Sequence, residues 1–164
     1  MIIVLMGVTG SGKTTVGRLL ARDLGWKFLE GDDFHPAANI DKLRRGVSLT
    51  DDERKPWLTA IAEAIRATVA GGDSAVISCS ALKASYRRML EVDPGVRFVY
   101  LHAAPLLIRE RLQNRPGHFM NPELIDSQFH TLEQPRRAVR VDAALPPAEI
   151  VRVLKQRLHL ERSA

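Results

Sequence analysis

Residues 2–15 read Ile2-Ile3-Val4-Leu5-Met6-Gly7-Val8-Thr9-Gly10-Ser11-Gly12-Lys13-Thr14-Thr15, an apolar run that breaks into glycines and then into a helical pattern. The glycine-bearing part satisfies G-x-x-x-x-G-K-[ST] at every fixed position. Gly7, Gly10 and Gly12 permit backbone geometry that a Cβ would obstruct, so successive N–H groups can turn toward one phosphate. The start of the following helix adds unpaired donors and a positive dipole end. Lys13 is expected to reach the β- and γ-phosphates, and the Thr14 hydroxyl to ligate Mg2+. The bland alternative is a glycine-rich turn with a surface lysine; the apolar strand before it and the amphipathic helix after it argue otherwise. Gly7, Thr9, Gly10, Ser11, Gly12, Lys13, Thr14 and Thr15 are therefore expected to hold a nucleoside triphosphate.

Outward from this stretch, four more apolar or β-branched segments suggest strands at Lys27–Leu29, Ala75–Cys79, Phe98–Leu101 and Val139–Val141. Between them apolar residues recur at helical spacing, for example Val16, Leu19, Leu20 and Leu24, or Leu58, Ile61, Ile65 and Val69. Such alternation predicts an α/β fold: a five-stranded parallel sheet with helices on both faces. Ligands of such sheets gather at the carboxyl ends of the strands. No repeat or linker interrupts the chain, so residues 1–164 read as a single domain.

The 164 residues are 45% hydrophobic and 26% charged, ordinary for a globular protein. One cysteine excludes an intramolecular disulfide and multi-cysteine zinc sites. No apolar run approaches the roughly 18 residues of a membrane span, and the apolar start lacks the basic flank of a signal peptide. A cytoplasmic protein with no membrane partner is expected. Lys and Arg outnumber Asp and Glu by 24 to 19, and 18 of those cations are arginine. Arginine suits two-point recognition of phosphate and carboxylate. Aromatics make up only 5% and the cations are spread along the chain, which argues against a nucleic-acid partner.

The second strand runs into Leu29-Glu30-Gly31-Asp32-Asp33-Phe34-His35-Pro36. Phosphoryl transfer needs a positioned acceptor, a metal to offset charge and often a carboxylate that takes the acceptor's proton. Asp32 is the candidate for the proton, and Glu30 for the metal or its waters. The bland alternative is an acidic turn in which Asp32 and Asp33 cap a following helix. Cations follow at Lys42, Arg44, Arg45, Arg54 and Lys55, then at Lys83, Arg87 and Arg88. Some of them suit an acceptor that bears a carboxylate, and others form solvated helix faces. Ser78-Cys79-Ser80 stands where many ATPases keep a second acidic residue, which points away from a motor or switch and toward a small-molecule kinase. Cys79 reads as a small buried residue.

Arg109, Arg111 and Arg115-Pro116-Gly117-His118-Phe119-Met120 form an arginine-rich stretch before the last strand. Pro-Gly breaks the helix there. An arginine on a lid spanning about 111–130 would stabilise transition-state charge and exclude water, and Arg115 is the foremost candidate. Arg111 reads either as a second phosphate or nucleotide contact or as an ordinary helix salt-bridge partner. His118 reads either as a lid contact or as a surface loop residue.

Together these residues resemble the gluconokinase family of small P-loop kinases, from Val4 to about Pro135. Gly31-Asp32, His35-Pro36, Asn39, Lys42, Gly46 and Leu49, followed by Asp52, Arg54, Pro56, Trp57 and Leu58, are similar to that family's acceptor segment, here about 31–58. Cys79-Ser80-Ala81-Leu82-Lys83 with Tyr86-Arg87 is similar to its most recognisable motif, and Gly117-His118-Phe119-Met120 with Ser127-Gln128-Phe129 to its lid. The resemblance implies Mg2+- and ATP-dependent phosphorylation of D-gluconate at the 6-hydroxyl, usually in a homodimer. It implies Asp32 as catalytic proton acceptor beside Lys13 and Arg115, with His35, Arg54, Lys83 and Arg87 on the acceptor. Lys42, Arg45, Trp57 and His118 complete the candidate acceptor contacts. Kinases of shikimate or another aldonate, and a nucleotide-dependent RNA-binding module, are the rival readings.

Two departures stand out. Glu30 occupies a position where an aspartate is common, lengthening the reach to metal by one methylene. The segment after Leu132-Glu133-Gln134-Pro135 is about four residues shorter than usual, and the resemblance puts that loop on the nucleotide side.

Overall fold

In the computed structural model, which describes residues 1–114 and 122–161, β1 (Ile2–Met6) is buried along its whole length. Ile3 and Leu5 enter one apolar layer, and Ile2, Val4 and Met6 enter the other. Burial on both faces explains why this strand is apolar without alternation. Truncating Leu5, fully buried, to alanine costs about 2–5 kcal/mol by the usual cavity penalty.

The remaining strands are β2 (Lys27–Glu30), β3 (Ala75–Ser78), β4 (Val96–His102) and β5 (Val139–Asp142). All four strand pairings are parallel, in the order β2-β3-β1-β4-β5. Helix α1 (Lys13–Leu24) follows β1. Between β2 and β3 lie a 3-10 turn at Gly31–Phe34, then α2 (Ala37–Arg44) and α3 (Asp51–Ala70). The order then continues with α4 (Ala84–Leu90), α5 (Pro105–Gln113), α6 (Pro122–Thr131) and α7 (Pro147–Arg157). Apolar faces of α1, α5, α6 and α7 fill one layer, and those of α3 and α4 fill the other. The doubly covered parallel sheet expected from the sequence is the one observed. No helix among the described residues is long and apolar enough to cross a membrane.

Helix α3 begins with a capping box. The Thr50 hydroxyl accepts from the Glu53 N–H at 3.2 Å, and the Glu53 carboxylate accepts from the Thr50 N–H at 2.8 Å. Helix α2 has Pro36 at its N-cap and no side-chain cap, so Asp32 and Asp33 do not cap it. Those acids lie within the 3-10 turn itself.

The segment before β5 differs from expectation. Gln134, Pro135, Arg136 and Arg137 run beside α4, where with Arg88, Glu91 and Phe98 they line a groove of about 430 Å3. Phe98 belongs to the layer under α3 and α4, whereas Val16 and Ile150, beside the glycine loop, belong to the opposite layer. The shortened loop therefore lies across the sheet from the loop-side pocket.

Candidate active site

The glycine loop leaves the carboxyl end of β1. Gly7 has φ +145°, and a Cβ there would lie 2.8 Å from the Leu101 carbonyl of β4 and 2.9 Å from the Ser11 hydroxyl. Only glycine fits that close approach. The Lys13 ammonium donates to the Gly7 carbonyl at 3.0 Å and to the Val8 carbonyl at 2.9 Å. Ser11 Oγ is buried and has no hydrogen-bond partner among the described residues. An unsatisfied buried hydroxyl is costly, and at the mouth of a helix it marks a loop shaped for an added acceptor or donor.

Thr14 Oγ1 donates to Glu30 Oε2 at 2.7 Å. The other Glu30 oxygen accepts from the Ser78 hydroxyl, which in turn accepts from the Gly31 N–H at 3.2 Å. Helix α1 packs directly over β2, with Phe28 against Gly17 and beneath Arg18, which brings the carboxylate at the end of β2 to the first turn of the helix. A Cβ on Gly31 would collide with the Ser78 carbonyl, so glycine lets the chain turn tightly after Glu30.

Asp32 follows within the 3-10 turn. Its side chain reaches solvent, yet protein surrounds it on most sides, and this burial raises its pKa above the ordinary carboxylate value. The nearby Lys13 charge opposes that rise, while Glu30 and Asp33 add to it. A carboxylate held this way is a better proton acceptor than a free one.

His35 stacks on Trp57 with centroids 4.2 Å apart and an interplanar angle of 13°. Burial, then the Arg54 charge, pushes its pKa down to about 4. The imidazole is thus neutral at pH 7 and offers hydrogen bonds, not charge. Around it, Asn39 donates to the Glu53 carbonyl at 2.9 Å and Lys42 pairs with the Glu53 carboxylate at 2.5 Å. Hydrogen bonds from Lys42 and from the Thr50 backbone bring the Glu53 pKa down to about 2.

A second group of charges joins α3 to α4. Lys83 donates to both Asp51 oxygens at 2.9 and 3.0 Å, and the Tyr86 hydroxyl donates to the same carboxylate. Those hydrogen bonds hold the Asp51 pKa below the usual range. Arg54 lies 5.6 Å from the Tyr86 ring centroid and donates to the Leu49 carbonyl. The structure thus brings together Arg54, Lys83 and His35, three of the residues expected to meet an acceptor.

Other expected residues play different parts. Trp57 is only 2% exposed, and its indole N–H donates to the Gly31 carbonyl at 2.7 Å. It supports His35 and the 3-10 turn from below, which corrects its expected role as an acceptor contact. Arg87 is also a correction. Its buried guanidinium donates to the carbonyls of Ala81, Leu82 and Glu133 at 2.9, 3.0 and 3.0 Å. Ala81 has φ +41°, a costly conformation for a residue with a Cβ, and Arg87 pins that turn. The turn matters because the neighbouring Ser80 carbonyl accepts from the Gly7 N–H at 3.2 Å. Arg45 is exposed at the end of α2, with its Nε on the Asp41 carbonyl, apart from the charged group.

Arg111 lies beside the glycine loop, donating to the Gly10 carbonyl at 3.2 Å and the Ala143 carbonyl at 2.5 Å. With Thr15, Leu145, Pro147 and Ile150 it lines a pocket of about 220 Å3. Arg115 and His118, the expected lid contacts, lie outside the described residues. Ser78, Asp51 and Gln128 join the site although none is among the expected site residues. Ser78 is discernible only through register with Glu30, and Asp51 only through its partners. Gln128 accepts from the Thr9 N–H at 2.7 Å across 119 residues of chain, a contact that local pattern cannot reveal.

A family model described as AAA domain matches residues 2–140. The chain is 48% identical over 134 residues to a gluconokinase of Gluconobacter oxydans, covering 81% of this chain and 75% of that one. A crystal structure of a gluconokinase from Sinorhizobium meliloti superposes with a TM-score of 0.83 at 47% identity, covering 96% and 94% of the two chains. An unliganded sugar kinase from Janibacter superposes with a TM-score of 0.92 at 38% identity, covering 99% and 98%.

Proposed function

The chain belongs to the gluconokinase family, within the wider AAA-domain group, and on that premise we propose that it transfers the γ-phosphoryl group of ATP to the 6-hydroxyl of D-gluconate. The observation that carries the reading is Asp32. It lies within electrostatic range of Lys13, on the segment that His35 and Arg54 extend toward the acceptor side. The loop amides and Lys13 bind the triphosphate, and the pocket beside Arg111 takes the base. Arg54 and Lys83 receive the acceptor carboxylate, and His35 binds a hydroxyl as a neutral partner.

Asp32 accepts the proton of the 6-hydroxyl. The freed oxygen forms a bond to the γ-phosphorus as the bond from that phosphorus to the bridging oxygen breaks. ADP and 6-phospho-D-gluconate are the products. Arg115 is proposed as the lid cation on the γ-phosphate, with His118 nearby.

The Thr14 hydroxyl and Glu30 carboxylate are hard oxygen donors that suit Mg2+, which supplies positive charge against the phosphate oxygens. Among the described residues no group of three or more His, Cys, Asp and Glu side chains forms a metal cage. Such a donor set fits an ion that takes most of its ligands from phosphates and water. A cytoplasmic homodimer is the proposed working form.

ADP release measured across gluconate, other aldonates, shikimate and nucleoside monophosphates tests the reading. Gluconate is expected to be preferred by about a hundredfold in kcat/KM. Equal turnover of all acceptors would overturn it, as would salt-sensitive RNA binding with no ADP release.

A further inference from the structure

The peptide unit between Val8 and Thr9 is held at both ends. Its carbonyl accepts from the Lys13 ammonium at 2.9 Å, and its N–H donates to Gln128 Oε1 at 2.7 Å. A peptide is planar with its N–H and C=O opposed, so fixing one end fixes the direction of the other. We infer that Gln128 is a positioning residue for Lys13, acting through this shared peptide rather than by touching the nucleotide.

The chemistry calls for such a device. Lysine carries its charge on a flexible four-carbon stem, whose ammonium must be placed where the β- and γ-phosphates lie. Here the Gly7 and Val8 carbonyls hold that head, so their orientation decides where the charge sits. The Val8 carbonyl also accepts from the Ser11 N–H at 3.2 Å, so with Gln128 removed its direction rests on that bond and the loop's own torsions alone.

Gln128 is itself firmly placed. Three consecutive residues of α6 contact three different parts of the fold. Asp126 pairs with Arg109 of α5 at 2.6 Å, the Ser127 hydroxyl meets the Ser48 hydroxyl before α3 at 3.2 Å, and Gln128 meets the glycine loop. Beyond the helix, the Glu133 N–H donates to the Leu82 carbonyl at 2.9 Å, and its carboxylate accepts from the Ala84 N–H at 2.7 Å. Helix α6 thus links the glycine loop, through Gln128, to the segment before α3, through Ser127. This rests on the kinase reading only in that Lys13 faces a nucleoside triphosphate.

The test is Gln128→Met, which keeps the length of the side chain and removes the acceptor, with Gln128→Ala measured in parallel. Hydrogen exchange at the Thr9 amide, followed by NMR, is expected to accelerate in both. Affinity for a nonhydrolysable ATP analogue with Mg2+ is expected to fall about five- to tenfold, and that for ADP by less than about twofold. Gln128→Glu keeps an acceptor oxygen and is expected to restore protection of the Thr9 amide. Unchanged exchange at Thr9 would overturn the inference. Equal loss of both nucleotides would also overturn it, because a merely loosened loop does not discriminate between them. No acceptor enters these measurements, so their outcome is separate from whether gluconate is phosphorylated.

Discussion

Glu30 and Ser78 are register partners at the ends of β2 and β3, and their side chains meet as well as their backbones. One Glu30 oxygen is thereby fixed, which leaves the other to meet Thr14 on α1. A strand end that lacks its own acid is in this way served by the acid of the neighbouring strand.

Glu30→Gln keeps the shape and removes the charge. The Mg2+ concentration for half-maximal turnover is expected to rise about tenfold or more, the usual scale for losing a metal-organising group. Ser78→Ala, which removes only the support, is expected to give a smaller rise. A Mg2+ titration of initial rates checks both, and an unaltered requirement in Glu30→Gln would remove it from the metal site.

Asp32→Asn is expected to lower kcat by about 10²- to 10⁴-fold, the range for loss of a general base. The same change is expected to stabilise the fold at pH 7. Burial raises the Asp32 pKa, so the fold favours the protonated form and loses stability as pH rises through its titration; a neutral amide escapes that loss. The acid limb of the kcat/KM profile should fall at a higher pH than for an ordinary aspartate. Thermal unfolding beside steady-state rates tests the pair, and near-normal turnover would exclude Asp32 as the base.

His35 gives a stability slope of opposite sense. Its folded pKa is about 4 against an ordinary 6.5, so below pH 6.5 the unfolded chain takes up a proton that the folded chain refuses. Stability is therefore expected to fall from pH 6.5 toward pH 4. His35→Gln should flatten this dependence, as read from urea midpoints at several pH values. A slope identical to that of the parent protein would contradict the neutral, stacked imidazole.

Arg87→Met is expected to destabilise the protein by about 2–4 kcal/mol, because three carbonyls lose a charged donor around a strained turn. Arg87→Lys should recover little, since an ammonium cannot reproduce the planar fork. Urea unfolding measures the loss. A loss of gluconate affinity without loss of stability would instead return Arg87 to the acceptor site.

Cys79 is buried, and burial pushes its thiol up to about 12. It is expected to resist thiol reagents at pH 8 until the chain unfolds. Rapid labelling of the native protein would contradict that.

The five strands are legible in the sequence because β1, β3 and β4 are apolar runs and β2 and β5 carry paired apolar residues at the ends of helical stretches, and the Gly7–Thr14 spacing marks the carboxyl end where ligands gather. Helix α2 is harder to read: among its residues Ala37–Arg44 only Asn39 is buried, so no apolar face announces it. Arg87 looks like an acceptor contact because charge type is visible in a sequence and burial is not. Trp57 misleads for the related reason that proximity in a motif does not say which side of a residue faces inward. The path of Gln134–Arg137 beside α4 and the bond from Thr9 to Gln128 depend on packing between distant segments.

On the proposed reading the phosphate cradle is one unbroken run of residues, whereas the acceptor side is assembled from the turn after β2, the start of α3 and the Lys83–Tyr86 corner. Descent with modification can therefore retune which alcohol is chosen by altering one of those scattered pieces while the nucleotide grip is inherited intact. Grafting the acceptor preference onto a cousin would demand several transplants at once, and the left-handed bend at Ala81 would have to travel with its arginine.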